Sequence, residues 1–282
     1  MNKYITTTLP YINSVPHIGH CFEFVLADTI SDFYRKQGFE TFLNIGVDEN
    51  GQKIYQKSIQ EGYINTQEYC DKLSLTWKNF CKEFNINYDN FYRTTDQKHK
   101  ENVIRFYNDI KQFTYSKFYK GKYCIGCESF KTEKEIVDNK CTIHNQELIE
   151  LEEENIFFDL NRFSSEIENI LIDKSLSTEL NNTINDRFDF SITRKNVDWG
   201  IKTENGDTFY CWFEALCNYI FAIKFYEDRD FFNKYWENSL QICGKDNLKF
   251  QAYILQALLK ANNISQTKEL LVHGFSNSKY SD

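Results

Sequence analysis

The chain has 282 residues, of which 41% are hydrophobic, and a formal net charge of −8 at pH 7. These values exclude a disordered chain, allow one large domain or two smaller ones, and give no global sign of a nucleic-acid-binding protein. No run approaches the length of a membrane span, and the chain starts with a strand pattern rather than a signal peptide. We therefore expect a cytoplasmic location and no membrane partner, while the oligomeric state stays open.

The first informative feature is a loop between a predicted strand, residues 3–8, and a predicted helix. The loop contains both prolines of the chain and delivers His17, Gly19 and His20 to the helix start. A helix N-terminus offers free N–H groups to a phosphate, glycine permits close approach, and imidazoles can donate hydrogen bonds to phosphoryl oxygens. We predict a nucleotide site here with His17 and His20 as catalytic residues; the alternative is a histidine pair without a ligand. The predicted helix shows an apolar stripe at helical spacing, formed by Ile18, Phe22, Val25, Leu26, Ile30 and Phe33.

Strand and helix patterns alternate over the first 110 residues or so and again after Trp199. Residues 41–45 form a predicted strand that leads to Asp48, and residues 240–243 form one that leads to Gly244. Between residues 113 and 198 short β-like pieces and an acidic run interrupt this alternation. The pattern predicts a parallel α/β fold with an inserted module, in which ligands bind beyond the carboxyl ends of the strands. Asp48 could instead cap the following helix.

Four residues have the spacing of metal ligands, namely Cys124, Cys127, Cys141 and His144. Three thiolates and one imidazole suit a tetrahedral Zn²⁺, and a closed shell of four protein ligands predicts a structural role. Chance clustering in a cysteine-rich chain is the alternative. The other cysteines lie in apolar patterns and are predicted to be small core residues: Cys21, Cys70, Cys81, Cys211, Cys217 and Cys243.

Residues 10–20, Pro-Tyr-Ile-Asn-Ser-Val-Pro-His-Ile-Gly-His, resemble the ATP-binding signature of class I aminoacyl-tRNA synthetases. Residues 47–51, Val-Asp-Glu-Asn-Gly, are similar to the Thr-Asp-Glu-His-Gly of the methionyl branch, with Asn50 at the usual histidine position. Residues 210–219 resemble its Tyr-Val-Trp-Phe-Asp-Ala-Leu-x-x-Tyr. Residues 244–251 resemble its Gly-Lys-Asp-hydrophobic-x-x-Phe-His, with Gln251 in place of the histidine. The flanks of the cysteine cluster resemble its zinc-bearing connective module, and residues 191–194 resemble the Ser-x-Ser-Arg segment that closes it.

The resemblance implies a Rossmann-like parallel sheet with helices on both faces, interrupted by a small zinc-binding connective insert. The implied division is 1–112 and 199–282 for the two halves of the catalytic domain and 113–198 for the insert. The implied activity is methionine–tRNA ligase, which activates L-methionine with ATP to methionyl-adenylate for transfer to tRNA(Met). Structural Zn²⁺ and Mg²⁺ with ATP are the implied ions.

The resemblance also implies roles for single residues. Asp48 would hold the amino-acid ammonium, and Gly244 and Asp246 would join His17, Gly19 and His20 in binding ATP. The implied amino-acid pocket comprises Leu9, Tyr11, Asp48, Trp212, Ala215, Tyr219 and Gln251.

Two alternatives remain open from the sequence. One is an amino-acid-adenylating relative that works without tRNA, and the other is a short nucleotide-binding form. The second signature of the family, Lys-Met-Ser-Lys-Ser, would follow a few residues after Phe275, and neither it nor the anticodon-binding domain occurs in the 282 residues. We therefore expect the chain to bind ATP and amino acid but to catalyse pyrophosphate exchange feebly.

Overall fold

The computed structural model describes residues 1–131, 133–143, 145–186 and 188–274. The predicted ligand His144 lies outside the described residues, so the structure does not test it. The strands within these ranges are β1 (Asn2–Thr7), β2 (Glu40–Val47), β3 (Asn90–Arg93), β4 (Thr114–Cys124), β5 (Ser129–Phe130), β6 (Ile136–Val137), β7 (Lys140–Cys141), β8 (Ile149–Phe158), β9 (Phe190–Ser191), β10 (Thr193–Arg194), β11 (Thr208–Phe209), β12 (Ser239–Gly244) and β13 (Glu269–His273).

The helices begin and end where capping residues and glycines permit. Asn65 and Asp228, for example, cap two helices by accepting hydrogen bonds from backbone N–H groups two or three residues later. The helices are α1 (Ile18–Lys36), α2 (Gln52–Gln60), α3 (Thr66–Glu83), α4 (Gln97–Ile110), α5 (Ser177–Asn185), α6 (Cys211–Phe221), α7 (Arg229–Trp236) and α8 (Leu255–Ala261), the last preceded by a π-helix (Phe250–Ile254). Among the described helices, none combines the length and apolarity that crossing a membrane requires.

A five-stranded parallel sheet organises the described structure, in the order β13-β12-β1-β2-β3. The chain moves outward from β1 through β2 to β3, and later from β12, on the other side of β1, to β13. The strand order therefore reverses at β1, and ligands of open α/β sheets bind at such a reversal. The predicted parallel α/β fold is confirmed, and the loops after β1, β2 and β12 leave the same edge of adjacent strands.

Side chains alternate between the two faces of the sheet, as the period of a strand requires. Ile5 packs in one core cluster with Phe24 of α1 and Trp77 of α3. Its neighbour Tyr4 packs in the other cluster, which includes Phe213 of α6 and side chains of α4, α7 and α8. Helices therefore cover both faces, as predicted. The six cysteines predicted to be core residues are all buried.

An antiparallel sheet of order β5-β4-β8-β9 lies between the two halves of the parallel sheet in sequence. Its β4–β8 ladder runs from the pair Thr114 and Phe158 to the pair Tyr123 and Ile149, and places the cysteine cluster at its far end. After β8 the chain rejoins the main core, and Leu171 pairs with Leu270 of β13. The division into 1–112, 113–198 and 199–282 stays a prediction.

The apolar stripe of α1 is only partly buried. Leu26 and Ile30 pack against the core, but Ile18, Phe22, Val25 and Phe33 are exposed. The face of α1 that is buried against the sheet is instead formed by Cys21, Glu23, Phe24, Ala27 and Ser31. This face therefore combines one large apolar residue, Phe24, with small residues and with Glu23, whose contacts are described below.

Candidate active site

His17 and His20 are fixed to each other at the start of α1. His17 caps the helix, and its Nδ1 accepts the backbone N–H of Gly19 at 3.1 Å. The backbone N–H of His17 donates to His20 Nδ1 at 3.3 Å, and the two rings stack with centroids 3.6 Å apart. The indole of Trp77 packs 4.7 Å from the His20 ring and ties α3 to the loop by donating to the carbonyl of Ser14.

These contacts determine which ring nitrogen of each histidine can serve a ligand. Because both Nδ1 atoms accept hydrogen bonds, each neutral imidazole carries its hydrogen on Nε2. Burial, with the neighbouring His17 as a second cause, lowers the pKa of His20 to about 3, so its ring is neutral at physiological pH. The predicted catalytic pair is thus brought together as two Nε2–H donors. The backbone N–H of Gly19 donates to His17 Nδ1, so in this structure it is not free for a phosphate.

Asp48 follows β2 and is joined to the loop after β1 through its backbone. Its N–H donates to the carbonyl of Pro10, and its carbonyl accepts the N–H of Ile12, both at 2.9 Å. Its Oδ1 accepts the Thr94 hydroxyl at 3.1 Å and the Asn50 N–H at 3.3 Å. The histidine loop and this carboxylate therefore form one unit at the sheet edge.

The charge of Asp48 lacks a protein counter-ion. Its side chain is buried, and in the described part of the chain no lysine, arginine or histidine forms a salt bridge with it. Glu49 beside it is paired with the Arg93 guanidinium at 2.9 Å. Burial, followed by the charge of Glu214, raises the pKa of Asp48 well above its usual range. A buried carboxylate in this state favours a cationic ligand, because burial of an unpaired charge is costly.

A buried polar network lies behind Asp48. Glu214 of α6 is fully buried, and its two oxygens contact Asn50 Nδ2 at 2.8 Å and His99 Nε2 at 2.6 Å. His99 Nδ1 in turn contacts the Tyr92 hydroxyl at 2.9 Å. Burial lowers the pKa of His99 to about 3 and raises that of Glu214. This network connects α6, α4, β3 and Asn50, which follows β2.

Aromatic and amide side chains assemble on α6 and the π-helix that precedes α8. Trp212 stacks on Phe250 with centroids 4.0 Å apart and planes 10° apart. Tyr219 accepts a hydrogen bond from Gln251 Nε2 at 2.8 Å, whereas Gln251 Oε1 is buried without a hydrogen-bond partner among the described residues. Ala215 lies one helical turn from Trp212 and Tyr219, on the same face of α6. The π-helix turns Phe250 and Gln251 together towards α6, and such turns recur at functional sites.

Tyr11 and the cysteine-bearing turn meet through one buried carboxylate. Glu128 Oε1 accepts the Tyr11 hydroxyl at 3.2 Å and the Lys53 N–H at 2.6 Å, while Oε2 accepts the Tyr123 hydroxyl at 2.9 Å. Gly51 has a φ of +118°, and a Cβ there would lie 2.0 Å from the Tyr11 hydroxyl, so this approach requires glycine. The structure thus places Tyr11 beside Asp48 and against the insert. Leu9 is half-buried and belongs to neither main core cluster of the described residues.

Gly244 and Asp246 follow β12 at the same edge of the sheet. A Cβ on Gly244 would lie 2.6 Å from Asp246 Oδ1, so glycine permits the approach of this carboxylate. Nearby, His273 at the end of β13 contacts Glu23 Oε2 through Nε2 at 2.9 Å. Glu23 Oε1 accepts the backbone N–H of Thr8 at 2.8 Å. Glu23 and His273 therefore connect the histidine-bearing helix with the ends of β1 and β13.

The Glu23–His273 hydrogen bond should make part of the free energy of unfolding depend on pH. The hydrogen bond to Glu23 raises the pKa of His273 above its usual value, which is about 6.5 in an unfolded chain. Its stabilising contribution is therefore complete below about pH 6.5 and is lost as the pH rises through the higher folded-state pKa. Urea unfolding measured between about pH 5 and pH 9 should show this fall in the free energy of unfolding for the wild type but not for His273→Gln. Parallel pH profiles for the two proteins would contradict the assignment.

The sulfur atoms of Cys124, Cys127 and Cys141 lie within 4.8 Å of one another, and those of Cys127 and Cys141 are 3.6 Å apart. Sulfur ligands of a tetrahedral zinc are about 3.8 Å apart, as Zn–S bonds of about 2.3 Å require. Burial raises the pKa of Cys127 to about 12, and a bound cation favours the thiolate and so opposes this shift. The three residues can hold a metal ion. The fourth predicted ligand, His144, lies outside the described residues.

Arg194, in the segment that resembles the end of the connective module, is buried among aromatic rings. Its guanidinium carbon lies 4.2 Å from the Tyr210 ring centroid and 5.0 Å from that of Phe130. Nε and Nη1 have no hydrogen-bond partner among the described residues. The residue therefore joins β10 to the start of α6 through cation–π contacts.

The sequence interpretation misses several residues that the structure brings to the site. Glu23 carries a local signal, since it is a lone acid in an apolar run three residues after His20. The other residues are brought to the site by partners far away in sequence, so local sequence patterns give no signal for them. They are Thr94, His99, Glu128, Glu214 and His273.

The chain is similar in sequence and in fold to proteins of known function. The methionine–tRNA ligase of Campylobacter jejuni is 35% identical over 288 residues, which cover 97% of this chain and 46% of that protein. The chloroplastic/mitochondrial methionine–tRNA ligase of Arabidopsis thaliana is also 35% identical and covers 96% of this chain and 47% of its own length. Mycobacterium tuberculosis methionyl-tRNA synthetase, solved bound by methionyl-adenylate, superimposes with a TM-score of 0.92 at 27% identity, over 99% of this chain and 58% of that chain.

The chain spans about half the length of these curated relatives. The model of one family, tRNA synthetases class I (M), matches residues 3–147 and 131–281. The two matches together include the histidine loop, Asp48, the cysteine-bearing turn, α6 and the loop after β12. By this match, the chain belongs to the tRNA synthetases class I (M) family.

Proposed function

We propose that this chain is a catalytic portion of a methionine–tRNA ligase, which activates L-methionine with ATP. The observation that carries the proposal is Asp48, a buried carboxylate without a described counter-ion, joined by backbone hydrogen bonds to the loop of His17 and His20. A site for an ammonium group and a site for phosphate are thereby adjacent. The relatives named methionine–tRNA ligase and the relative bound by methionyl-adenylate support methionine as the amino acid.

The reaction forms one bond and breaks another without a covalent enzyme intermediate. A carboxylate oxygen of methionine attacks the α-phosphorus of ATP, and the bond from that phosphorus to the bridging oxygen breaks, so that pyrophosphate leaves with the electron pair. The Nε2–H groups of His17 and His20 would donate to phosphoryl oxygens as charge develops on them. Asp48 would hold the ammonium and so orient the attacking carboxylate. Mg²⁺ bound with ATP supplies further positive charge at the phosphates.

The side chain of methionine would lie against α6. Trp212, Ala215 and Tyr219 present two aromatic rings and a small residue on one helix face, and a thioether makes favourable soft contacts with such rings. Leu9 and Tyr11 would close this pocket from the loop after β1. Gly244 and Asp246 would bind the nucleotide beyond β12. Transfer of the amino acid to tRNA(Met), and the cytoplasmic location, are part of the proposal for the longer protein.

The surroundings of Gln251 bear on which amino acid the pocket binds. Its Oε1 is a buried acceptor without a described hydrogen-bond partner next to Tyr219. We therefore propose a thermal-shift screen of the twenty amino acids, in which binding to the folded state raises the melting temperature. L-Methionine should give the largest increase. A larger increase with another amino acid, particularly a polar one, would show that methionine is the wrong substrate.

We also propose that Cys124, Cys127, Cys141 and His144 hold a structural zinc ion. The support is the close approach of the three sulfur atoms and the ligand spacing in the sequence. Four protein ligands leave no open position, so the ion would act on folding rather than on chemistry. The ion would also order the cysteine-bearing turn. Glu128 follows Cys127 in this turn and contacts Tyr11, so an ordered turn would support the proposed amino-acid pocket.

We predict about one zinc ion per freshly purified, reduced chain, lost on Cys124→Ser, because site formation and folding are coupled. A chelator should make the β4–β8 sheet sensitive to protease while the parallel sheet stays resistant. Cys81→Ser, at a buried cysteine in the other part of the molecule, is the matched control and should keep the metal. Metal analysis that finds no zinc in the wild type would overturn the proposal.

A further inference from the structure

Glu214 is a buried carboxylate that the mechanism above does not use. It is fully buried, and its contacts are Asn50 on one oxygen and His99 on the other. Within the described structure, His99 is the one basic side chain that it contacts, and because burial lowers the pKa of His99 to about 3, this contact is a hydrogen bond with a neutral imidazole. Such a group is expensive to bury unless each polar partner is satisfied, so its position is closely determined.

Hydrogen bonds connect Glu214 to Asp48 through Asn50 and Thr94, with the Asn50 amide as the donor to both of its neighbours. Asn50 Nδ2 donates to Glu214 Oε1 at 2.8 Å and to Thr94 Oγ1 at 3.2 Å. Thr94 Oγ1 also accepts the backbone N–H of Glu49 at 2.8 Å. With both lone pairs occupied, its hydroxyl hydrogen is directed to Asp48 Oδ1 at 3.1 Å. Asp48 Oδ1 is held in this way, whereas Oδ2 has no hydrogen bond with a described protein group.

Two departures from the family segments meet in this network. In the resemblance described above, Asn50 stands where the methionyl segment has histidine, and Glu214 stands where the segment Tyr-Val-Trp-Phe-Asp-Ala-Leu has aspartate. These two residues are 164 positions apart in sequence yet share a hydrogen bond. Relative to those segments, a shorter residue at position 50 faces a longer residue at position 214.

We propose that Glu214 is a positioning residue for the amino-acid site: it holds Asn50, and through Thr94 it orients Asp48 so that Oδ2 remains available for the ammonium. This inference rests on the proposed function, since it assumes that Asp48 binds an amino acid. Glu214 itself touches no substrate. Its role is that of a hydrogen-bond acceptor at a fixed distance from Asn50.

The test compares Glu214→Asp, Asn50→His and the double variant for the dissociation constant of L-methionine, measured by calorimetry, and for unfolding by urea. Glu214→Asp moves the carboxylate away from Asn50 by the length of one methylene group. Methionine binding should weaken about tenfold, because the buried Asn50 amide then lacks its acceptor. Asn50→His alone should have a similar effect through overcrowding. The double variant should return to within about threefold of the wild type, because coupled neighbours are not additive.

Two further variants separate positioning from charge and from general destabilisation. Glu214→Gln keeps the acceptor towards Asn50 and can donate to His99, so it should bind methionine within about threefold of the wild type. Glu153→Asp is the matched control, since Glu153 is a buried carboxylate that accepts an asparagine amide at 2.9 Å in β8. It should lose stability without any change in methionine binding.

The outcomes distinguish the inference from the proposed function. If the wild type binds no amino acid, the proposed function fails and the inference falls with it. If the wild type binds methionine and Glu214→Asp binds it equally well, the inference alone is wrong. Additive single effects, or a loss in Glu214→Gln equal to that in Glu214→Asp, would also overturn it. Should Glu214→Asp fail to fold, Thr94→Val breaks the last link of the network and must weaken methionine binding.

Discussion

Asp48→Asn is expected to abolish measurable methionine binding, with a loss of affinity of about 10²- to 10³-fold, because it leaves a buried ammonium without its counter-ion. The measurement is the rise in melting temperature produced by saturating L-methionine, which should disappear. Asp32→Asn is a suitable control, since Asp32 lies half-exposed on α1 beside Arg35. An Asp48→Asn protein that still responds to methionine would remove the central support for the proposed function.

The same variant should be more stable than the wild type when no ligand is present. Burial raises the pKa of Asp48, so between the usual aspartate value of about 3.9 and the raised value the folded state binds more protons than the unfolded state. The free energy of unfolding therefore falls as the pH rises through this range, and replacing the carboxylate by an amide removes the fall. Methionine binding to the wild type should show the opposite trend and weaken as the pH falls and Asp48 is protonated.

The parallel sheet and the positions of the site loops could be predicted because their signals are local. Strand patterns end directly before the histidine loop, Asp48 and Gly244, and parallel strands bring such ends to one edge. The cysteine pairs carry their spacing in the sequence, and the three described members lie close together. Local strand patterns and the chemistry of these residue types are therefore sufficient to indicate a crevice at this edge of the sheet.

The rest depends on long-range partners that no local pattern encodes. His99 and Glu214 are 115 residues apart, and Tyr11 and Glu128 are 117 residues apart, so each pair is determined by the packed fold. The apolar stripe of α1 misleads for a related reason. Periodicity identifies an apolar face but not the side on which the sheet lies, and here the buried face of α1 contains small residues and Glu23.

The largest effect on the chemical step is expected from the histidine pair. His17→Ala and His20→Ala should each lower the rate of methionyl-adenylate formation by about 10²- to 10³-fold, since each removes one donor to the developing phosphate charge. Single-turnover formation of methionyl-adenylate measures this rate directly, and the dissociation constant of methionine should stay unchanged. Asp48 keeps its own backbone contacts with Pro10 and Ile12 in both variants.

The protonation state of His20 also predicts how the rate of adenylate formation depends on pH. Because burial lowers its pKa to about 3, its ring stays neutral between about pH 5 and pH 8, so the rate should not follow a histidine titration at position 20 over that range. His20→Gln retains an amide N–H donor but lacks the ring that stacks on His17 and packs against Trp77, so we expect it to retain part of the activity. The double variant His17→Ala, His20→Ala leaves no imidazole at the start of α1 in the described structure. Undiminished adenylate formation by this variant would therefore contradict the role of the two Nε2–H groups.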